Sequence, residues 1–371
     1  MSDRRFRRVM LGWLIPFTLL AAVGGCPTQQ VDDTGDDTNS GDSSDPFVDA
    51  VTVDLAADGT AKVAESISRS GGFDVFKIPG LNVGDRVIIS IETTSGDLDA
   101  VAALFDDLEN MVAFNDDRAS DSSDLDPLID VTIRGKAGDY FVGVAPFSVG
   151  DTAGDYSIDV EVLRQAGDSD PQTQIVFLNF EGGTGILVQN VIDQPLDLEA
   201  FSAADVGLAA GDTQALKNRI VELVEDRYAG YNLVVQSSDE FFEPTVPHST
   251  IFFGGFNRSA FAISQQIDTF NQDQDDDAII FTRSFSNAFS ETPTSEEMAT
   301  AIANTVAHEI GHLLGLVHTK ACDDLMDTTC GNDSILRAQE FSRAPLDDSV
   351  FPIGFQDSTE ILTWVLGLAG L

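Results

Sequence analysis

Three of the four histidines in this chain of 371 residues lie within one segment, HEIGHLLGLVH, which runs from His308 to His318. His308 and His312 are four positions apart, so in a helix both imidazoles lie on the same face, one turn above the other. Nitrogens at that separation reach one zinc ion at ~2.0–2.1 Å. Glu309, next to the first histidine, is well placed to accept a proton from a water molecule. The segment therefore predicts a helix that carries two zinc ligands and a general base.

The residues around this segment predict where the helix begins and ends. Thr294 and Glu297 have the spacing of an N-terminal capping box, and the alanine-rich run that follows predicts a helix to about Leu314. Gly315 suits the left-handed conformation at which many helices end. The chain can then turn back and present His318 as the third ligand. Three protein ligands leave the fourth zinc position open, which is typical of a catalytic rather than a structural site.

This pattern resembles the metzincin zinc peptidases. HEIGHLLGLVH agrees with their HExxHxxGxxH motif at all five fixed positions, and Asp324–Asp327 follows where a methionine turn is expected, with Met326 beneath the metal. The resemblance implies hydrolysis of a peptide bond, with Glu309 as general base and then general acid. Thr319 stands where matrixins typically have Ser and adamalysins Asp, so it does not assign a subfamily.

The first residues of the chain indicate the roles of its three cysteines. Residues 1–26 combine a basic segment, a short apolar run and Gly24-Gly25-Cys26, which predicts an export signal rather than a membrane span. The segment resembles a bacterial lipoprotein signal, in which Cys26 becomes the lipid anchor; ordinary cleavage and release is the alternative. The protein is therefore expected at the cell surface, as an outer membrane lipoprotein, or secreted. Cys322 and Cys330 then form an even pair that predicts a disulfide around the methionine turn, with two buried thiols as the alternative.

Residues 27–46 are nearly all Asp, Thr, Ser, Gly and Asn, which predicts a disordered acidic tether. Residues 47–164 change to short alternating runs between Gly and Asp turns, and these predict an antiparallel β-sandwich. The predicted strands are VTVDL, FDVFKI, RVIISIE, AVAALFD, DYFVGVA and YSIDVEV.

The sandwich region also resembles the bacterial pre-peptidase C-terminal domain, a non-catalytic module that usually accompanies secreted peptidases. The resemblance rests on short motifs spread over nearly the whole region. They are Phe73–Phe76, Gly84-Asp85, Leu98-Asp99, Leu104–Asp106, Asn115–Asp117, Gly138–Val142 and Gly154–Ile158.

After a polar linker at 165–171, residues 172–371 show a mixed α/β pattern, and the order of elements is metzincin-like. The predicted fold class is thus multidomain: an N-terminal all-β antiparallel sandwich followed by a metzincin-like α/β (α+β) zinc peptidase domain. Because the chemistry lies in the second domain, a fragment from about residue 172 is expected to suffice for turnover of short peptides. The predicted elements are a strand at Gln174–Phe180, a helix from Asp212 to Gly230, strands at Leu233–Gln236, Thr250–Phe253 and Ala278–Phe281, and helices at Ser259–Phe270 and Ser358–Leu368.

The charge balance limits the partners. There are 62 acidic against 20 basic residues, a net charge of −42, which repels nucleic acid and anionic membranes. Contact with a membrane is therefore expected only through a lipid on Cys26, and the oligomeric state is not predicted. Two acidic sets are candidates for calcium, with solvated polar loops as the alternative. They are Asp116-Asp117, and the cluster Asp268, Asn271, Asp273, Asp275, Asp276 and Asp277.

Together these features predict a zinc-dependent endopeptidase that acts on a protein or peptide substrate. The predicted zinc ligands are His308, His312 and His318, and Glu309 is the catalytic residue. The alternative is a non-catalytic surface module in which the sandwich binds a polymer and zinc is structural.

Overall fold

The computed structural model of the protein describes residues 45–69, 72–118, 124–147, 152–167, 170–189, 192 and 194–370. The predicted export signal lies outside these residues, as does the predicted tether apart from residues 45 and 46. Within the described part of the chain, no helix is long and apolar enough to cross a membrane.

Two sheets form the N-terminal region. One has the strand order β1-β3-β8-β5-β6 and the other β2-β9-β4-β7, and every pair is antiparallel except the short pair of β1 with β3. Side chains from both sheets share one core, so the predicted antiparallel strands do pack as two layers. The strands are β1 Val51–Thr52, β2 Thr60–Ile67, β3 Asp74–Leu81, β4 Arg86–Gly96, β5 Ala100–Phe105, β6 Met111–Asn115, β7 Leu128–Thr132, β8 Gly138–Pro146 and β9 Gly154–Leu163.

Strands β4 and β5 differ in how they are buried. In β4, Val87, Ile89 and Ile91 are fully buried and alternate with more exposed residues, as expected for a strand with one face in a core. All of β5 is buried, because Ala102 and Leu104 face the sandwich core while Ala103 and Phe105 face a second cluster on the other side. This second cluster includes residues of the C-terminal region.

The C-terminal region is built on a sheet of order β13-β10-β14-β16-β15. Its strands are parallel except β15, which lies antiparallel to β16 at the edge. The elements are β10 Gln174–Asn179, β11 Gly183–Ile186, β12 Leu196–Leu198, α1 Thr213–Arg227, β13 Leu233–Ser237, β14 Ser249–Phe253, β15 Ala262–Ser264, β16 Asp277–Ile280, α2 Ser295–Leu313, β17 Arg343–Pro345, β18 Phe355–Asp357 and α3 Ser358–Leu366.

The helix predicted at Ser259–Phe270 is wrong. Ala262, Ile263 and Ser264 form β15 instead and pair with Ile280, Ile279 and Ala278 of β16. All three β15 residues are buried. A short apolar run that is covered on both faces has no period of two, so periodicity could not distinguish this strand from a helix.

Helix α2 is the central helix of the region. Every residue from Met298 to Leu313 is buried, which accounts for its alanine-rich composition, since close neighbours surround it on all sides. Helix α1 packs beside it: the Tyr228 hydroxyl, just past its end, donates to the Ala307 carbonyl at 2.8 Å. The Arg227 guanidinium donates to the Asn304 side chain at 3.0 Å.

The two regions share an apolar core rather than a flexible joint. The ring of Phe351 packs against Phe105, with centroids 5.4 Å apart, and a Cβ on Gly143 of β8 would lie only 2.6 Å from it. Val317 belongs to the same cluster. Where the polar linker ends, the Gln172 amide donates to the Val365 carbonyl at 2.8 Å. A fragment that begins at about residue 172 would lose the contacts with Phe105 and Gly143.

Candidate metal centre

Helix α2 positions two of the predicted ligands. Its N-terminus has the predicted capping box: the Glu297 amide donates to Thr294 Oγ1 at 3.2 Å, and the Thr294 amide donates to Glu297 Oε2 at 2.8 Å. The helix then continues past His308 and His312, which lie with Glu309 in the fully buried part of the molecule. The predicted helix bounds agree with the observed ones to within one residue.

The reversal of the chain after α2 requires a glycine at position 315, for two physical reasons. Its φ of +91° is a left-handed conformation that side chains other than glycine rarely adopt. A Cβ at this position would also lie 2.9 Å from the Asp268 carbonyl oxygen and from Thr269 Cα. The Leu316 amide donates back to the Gly311 carbonyl at 2.8 Å, as in a Schellman motif. The chain therefore reverses and brings His318 back toward the helix.

The three histidines converge. One ring nitrogen from each of His308, His312 and His318 lies within 4.8 Å of the others. Nε2 of His312 and Nε2 of His318 are 3.2 Å apart. Two nitrogens bound to one tetrahedral zinc at ~2.0–2.1 Å lie ~3.3 Å apart, so this spacing fits a shared zinc ion.

Hydrogen bonds orient two of the rings. Nδ1 of His308 lies 2.7 Å from the Leu325 carbonyl, and Nδ1 of His312 lies 2.7 Å from the Leu316 carbonyl. A carbonyl only accepts, so Nδ1 carries the proton in each ring, and Nε2 of each neutral imidazole keeps a lone pair that can bind a metal ion. Nε2 of His308 is buried and has no hydrogen-bond partner among the described residues. A buried acceptor without a donor is costly, and a metal ion at this point removes that cost.

Burial also sets the charge of the rings. It lowers the pKa of His308 to about 4, and it lowers the pKa values of His312 and His318 well below the ordinary value, helped by the neighbouring histidines. The imidazoles are therefore neutral at pH 7, which is the form that binds a metal. The donor set thus fits zinc in atom type, spacing, orientation and charge.

Glu309 lies between the helix and the edge strand. It is fully buried, and burial raises the pKa of its carboxyl well above the ordinary value, while the nearby Ser264 of β15 opposes that shift. Neither carboxyl oxygen of Glu309, nor the hydroxyl of Ser264, has a partner at hydrogen-bond geometry among the described residues. Ser264 was not singled out from the sequence, because the segment that contains it was assigned to a helix. This proximity places the general-base candidate beside the last residue of the sheet's edge strand.

Met326 lies under the helix, as the methionine turn requires. It is fully buried, and a Cβ added to Gly311 of α2 would lie 2.7 Å from the Met326 sulfur. Both glycines of the segment therefore permit a close approach: Gly315 to the loop at 268–270 and Gly311 to Met326. The role of Gly311 was not foreseen, since the motif does not specify a residue there.

Thr319 and Asp324 hold the loop that carries the methionine. The buried Thr319 hydroxyl donates to Asp324 Oδ1 at 2.9 Å, and the Met326 amide donates to the same oxygen at 2.8 Å. The other oxygen, Oδ2, accepts from the Ser342 hydroxyl at 2.6 Å. Thr319, the residue after the third histidine, therefore helps to orient the methionine turn through Asp324, which was predicted only as the first residue of that turn.

Cys322 and Cys330 form the predicted disulfide and so close the methionine loop. In the described part of the chain, three metal-ligand atoms come together in two places. These are the three histidines and a group made of Asp327 with the two cysteines, whose sulfurs are bonded to each other. Neither acidic set predicted for calcium forms such a group.

Comparisons with known proteins agree with part of this picture. The sequence model of the matrixin family of peptidases matches residues 251–348, which include the three histidines, Glu309 and Met326. This match supports a metallopeptidase in general. No curated protein matches the chain.

Three similar solved structures each cover part of the chain. Metalloproteinase-II from Bacteroides fragilis is 14% identical, with a TM-score of 0.26, and the alignment covers 53% of this chain and 54% of that one. The pre-peptidase C-terminal domain of collagenase from Bacillus anthracis is 17% identical, with a TM-score of 0.24, over 30% of this chain and 94% of that one. The periplasmic lysozyme inhibitor PliG from Aeromonas hydrophila is 15% identical, with a TM-score of 0.25, over 31% of this chain and 96% of that one.

Proposed function

We propose that the protein is a zinc-dependent endopeptidase whose zinc ligands are His308, His312 and His318. The observation that carries the proposal is the convergence of three neutral imidazoles beside the buried carboxyl of Glu309. Three protein ligands leave a tetrahedral ion one position for water or substrate, as in catalytic zinc sites. When bound, zinc polarises a carbonyl, lowers the pKa of a water molecule to near neutrality and, as a cation, favours the ionised form of Glu309.

Each residue around the metal would then have a separate role in the reaction. Glu309 accepts the proton of the attacking water and passes it to the amine that leaves, so one carboxylate serves as base and then acid. Leu325 and Leu316 hold the rings of His308 and His312 through their carbonyls. Met326 fills the space below Gly311 and keeps the loop and the helix in register.

Glu309→Gln tests the chemistry directly. Glu309 is not a proposed ligand, so the variant should keep one zinc per chain and the wild-type unfolding curve, while turnover of a diverse peptide library falls by ~10²–10⁴. His318→Ala is the matched variant that should lose zinc as well. If wild type and Glu309→Gln digest the library equally poorly although both hold zinc, the peptidase proposal fails and the structural-zinc binding module takes its place.

We also propose that the protein is exported and held at the cell surface by a lipid on Cys26. The support is the basic, apolar and small-residue order of residues 1–26 and the acidic tether that follows. Cys26→Ser should move the protein from the membrane fraction to the soluble fraction without loss of peptidase activity. Wild-type protein recovered unlipidated in the medium would instead support cleavage and release.

A further inference from the structure

The backbone next to the third histidine is held by one side chain from far along the sequence. The Val317 amide donates to Gln356 Oε1 at 2.7 Å, and Gln356 Nε2 donates to the Val317 carbonyl at 3.0 Å. Gln356 is fully buried, so no water competes for these bonds. Its amide group therefore satisfies both backbone groups of the residue that precedes His318.

Gln356 is itself positioned by the β-sandwich. It lies in β18, and the amide of its neighbour Phe355 donates to the Glu109 carbonyl, in the turn between β5 and β6, at 3.0 Å. Arg343, on the paired strand β17, donates to Asn110 Oδ1 at 2.7 Å and to the Leu108 carbonyl at 2.8 Å. The turn at 106–110 thus presents three acceptors to the two strands that carry and flank Gln356.

The turn at 106–110 is rigid enough to serve as such a base. Asp106 Oδ1 accepts from the amides of Leu108 and Asn110 at 2.8 Å each, and Asp106 is buried. Gly354 approaches it closely: a Cβ there would lie 2.5 Å from the Phe105 ring and 3.1 Å from the Glu109 carbonyl oxygen. Its φ of +92° also favours glycine. The contact therefore tolerates little displacement.

We propose that Gln356 is a positioning residue for His318, and that the β-sandwich acts on the metal centre through it. This inference rests on the zinc site of the proposed function. It assigns the sandwich a part in building that site, where an accessory module would have none. The path has three contacts, from the turn at 106–110 to β18, from Gln356 to Val317, and from Val317 to the adjacent ligand.

The test replaces Gln356 by Leu, which keeps the volume and removes both hydrogen bonds. We expect the Kd for zinc, measured by competition with a chromophoric chelator, to rise ~10–100-fold, as for loss of a group that orients a ligand. In the zinc-free protein, hydrogen exchange at the Val317 amide should accelerate while the amides of α1 remain unchanged. The second readout needs neither bound zinc nor activity.

The matched control is Gln174→Leu. Gln174 is also buried; its Nε2 donates to Ser249 Oγ at 2.9 Å and to the Gln274 carbonyl at 3.2 Å, and its Oε1 accepts from Asn271 at 2.9 Å, so these partners lie in segments other than 317–318. This variant should lose stability yet keep the zinc Kd and the exchange rate at Val317. If the two variants change the zinc Kd equally, Gln356 has only a general structural role.

Arg343→Ala covers the case in which Gln356→Leu does not fold, because Arg343 is exposed. It should raise the zinc Kd and the exchange rate at Val317, by less than Gln356→Leu. Wild-type values for both quantities in Arg343→Ala, or in a folded Gln356→Leu, overturn the inference. Absence of zinc binding by the wild type would instead refute the proposed function, so the two failures are distinguishable.

Discussion

The metal centre has two halves that are built by different means. The backbone of the helix half, His308 to His312 in α2, is held by hydrogen bonds within one helix, and the spacing of its two histidines follows from the helical repeat; their rings also bond outside the helix, to the Leu325 and Leu316 carbonyls. The loop half, Gly315 to Asp327 with His318, is held by groups distant in sequence. The Asp347 amide donates to the His318 carbonyl at 3.0 Å, and Gln356 holds Val317.

The difference indicates which substitutions should change the position of each histidine. A helix transmits its geometry along its own backbone, so a remote substitution has little effect on the relative position of His308 and His312. The loop half takes its geometry from the packing of the sandwich against 343–357. Its ligand is therefore sensitive to substitutions more than 200 positions away, such as those in the turn at 106–110.

Removal of the sandwich is expected to have the largest effect, because it takes away the support of the loop half. A chain of residues 172–371 exposes the buried residues Val317, Leu346, Val350 and Phe351, which belong to the shared cluster. We expect it to lose cooperative unfolding and tight zinc binding, since the loop half has no support. The control lacks only residues 1–44 and should keep both. A 172–371 fragment with the zinc affinity and peptide turnover of the full chain would restore the prediction of an independent second domain.

Gly315→Ala acts at the junction of the halves. The left-handed conformation costs an alanine about 1–2 kcal/mol, and the contact with Asp268 adds the cost of overpacking. We expect a loss of about 2 kcal/mol or more in urea unfolding, with weaker zinc binding. Gly331→Ala is the control, since Gly331 has φ −66° and open space around its Cα. The prediction fails if the two variants are equally stable.

The acidic loop that packs on Gly315 predicts a pH dependence. Burial raises the pKa of Asp276 to about 8 and that of Asp268 to about 6, above the ordinary 3.8. The folded state thus binds these protons more tightly than the unfolded state, and their contribution to stability is lost as pH rises from about 4 through about 8. We expect a lower urea midpoint at pH 8 than at pH 5 in the absence of calcium.

Asp276→Asn, which cannot titrate, isolates this contribution. It should flatten the pH dependence and exceed the wild type at pH 8 by at least about 1.4 kcal/mol, the value of one pKa unit. A wild-type midpoint that rises from pH 5 to pH 8 contradicts the prediction. A gain on adding calcium at pH 8 that Asp276→Asn lacks would favour the calcium interpretation of the cluster.

The smallest effect is expected in the helix half alone. Thr294→Ala removes the capping box of α2 and should cost about 1 kcal/mol in unfolding experiments. The cap lies almost four turns from His308, so the zinc Kd of the folded protein should stay at the wild-type value. A weakened zinc affinity in this variant would show that the helix half is as sensitive to remote changes as the loop half.

The features that depend on local geometry could be predicted from the sequence. Spacings of four residues on a helix, a capping box and a glycine at a helix end have their meaning within a few residues. The positions of His308, Glu309 and His312 in α2, and of Gly315 after its end, could therefore be predicted from the chain alone. Six of the nine strands of the sandwich were likewise predicted, whereas β2, β6 and β7 were not; the alternation is clearest where one face is exposed, as in β4. The disulfide followed from the count and spacing of Cys322 and Cys330.

Which faces of the strands and helices pack together is seen only in the tertiary structure. β15 was predicted as part of a helix, and nothing in the sequence of β5 indicates why both of its faces are buried. Both features depend on a partner from elsewhere in the chain. Gln356 is one polar residue among many in the sequence. Its role arises because the sandwich and the strand pair β17–β18 bring it within hydrogen-bond distance of Val317. Contacts between residues distant in sequence leave no periodic trace along the chain, and the position of the third ligand depends on such contacts.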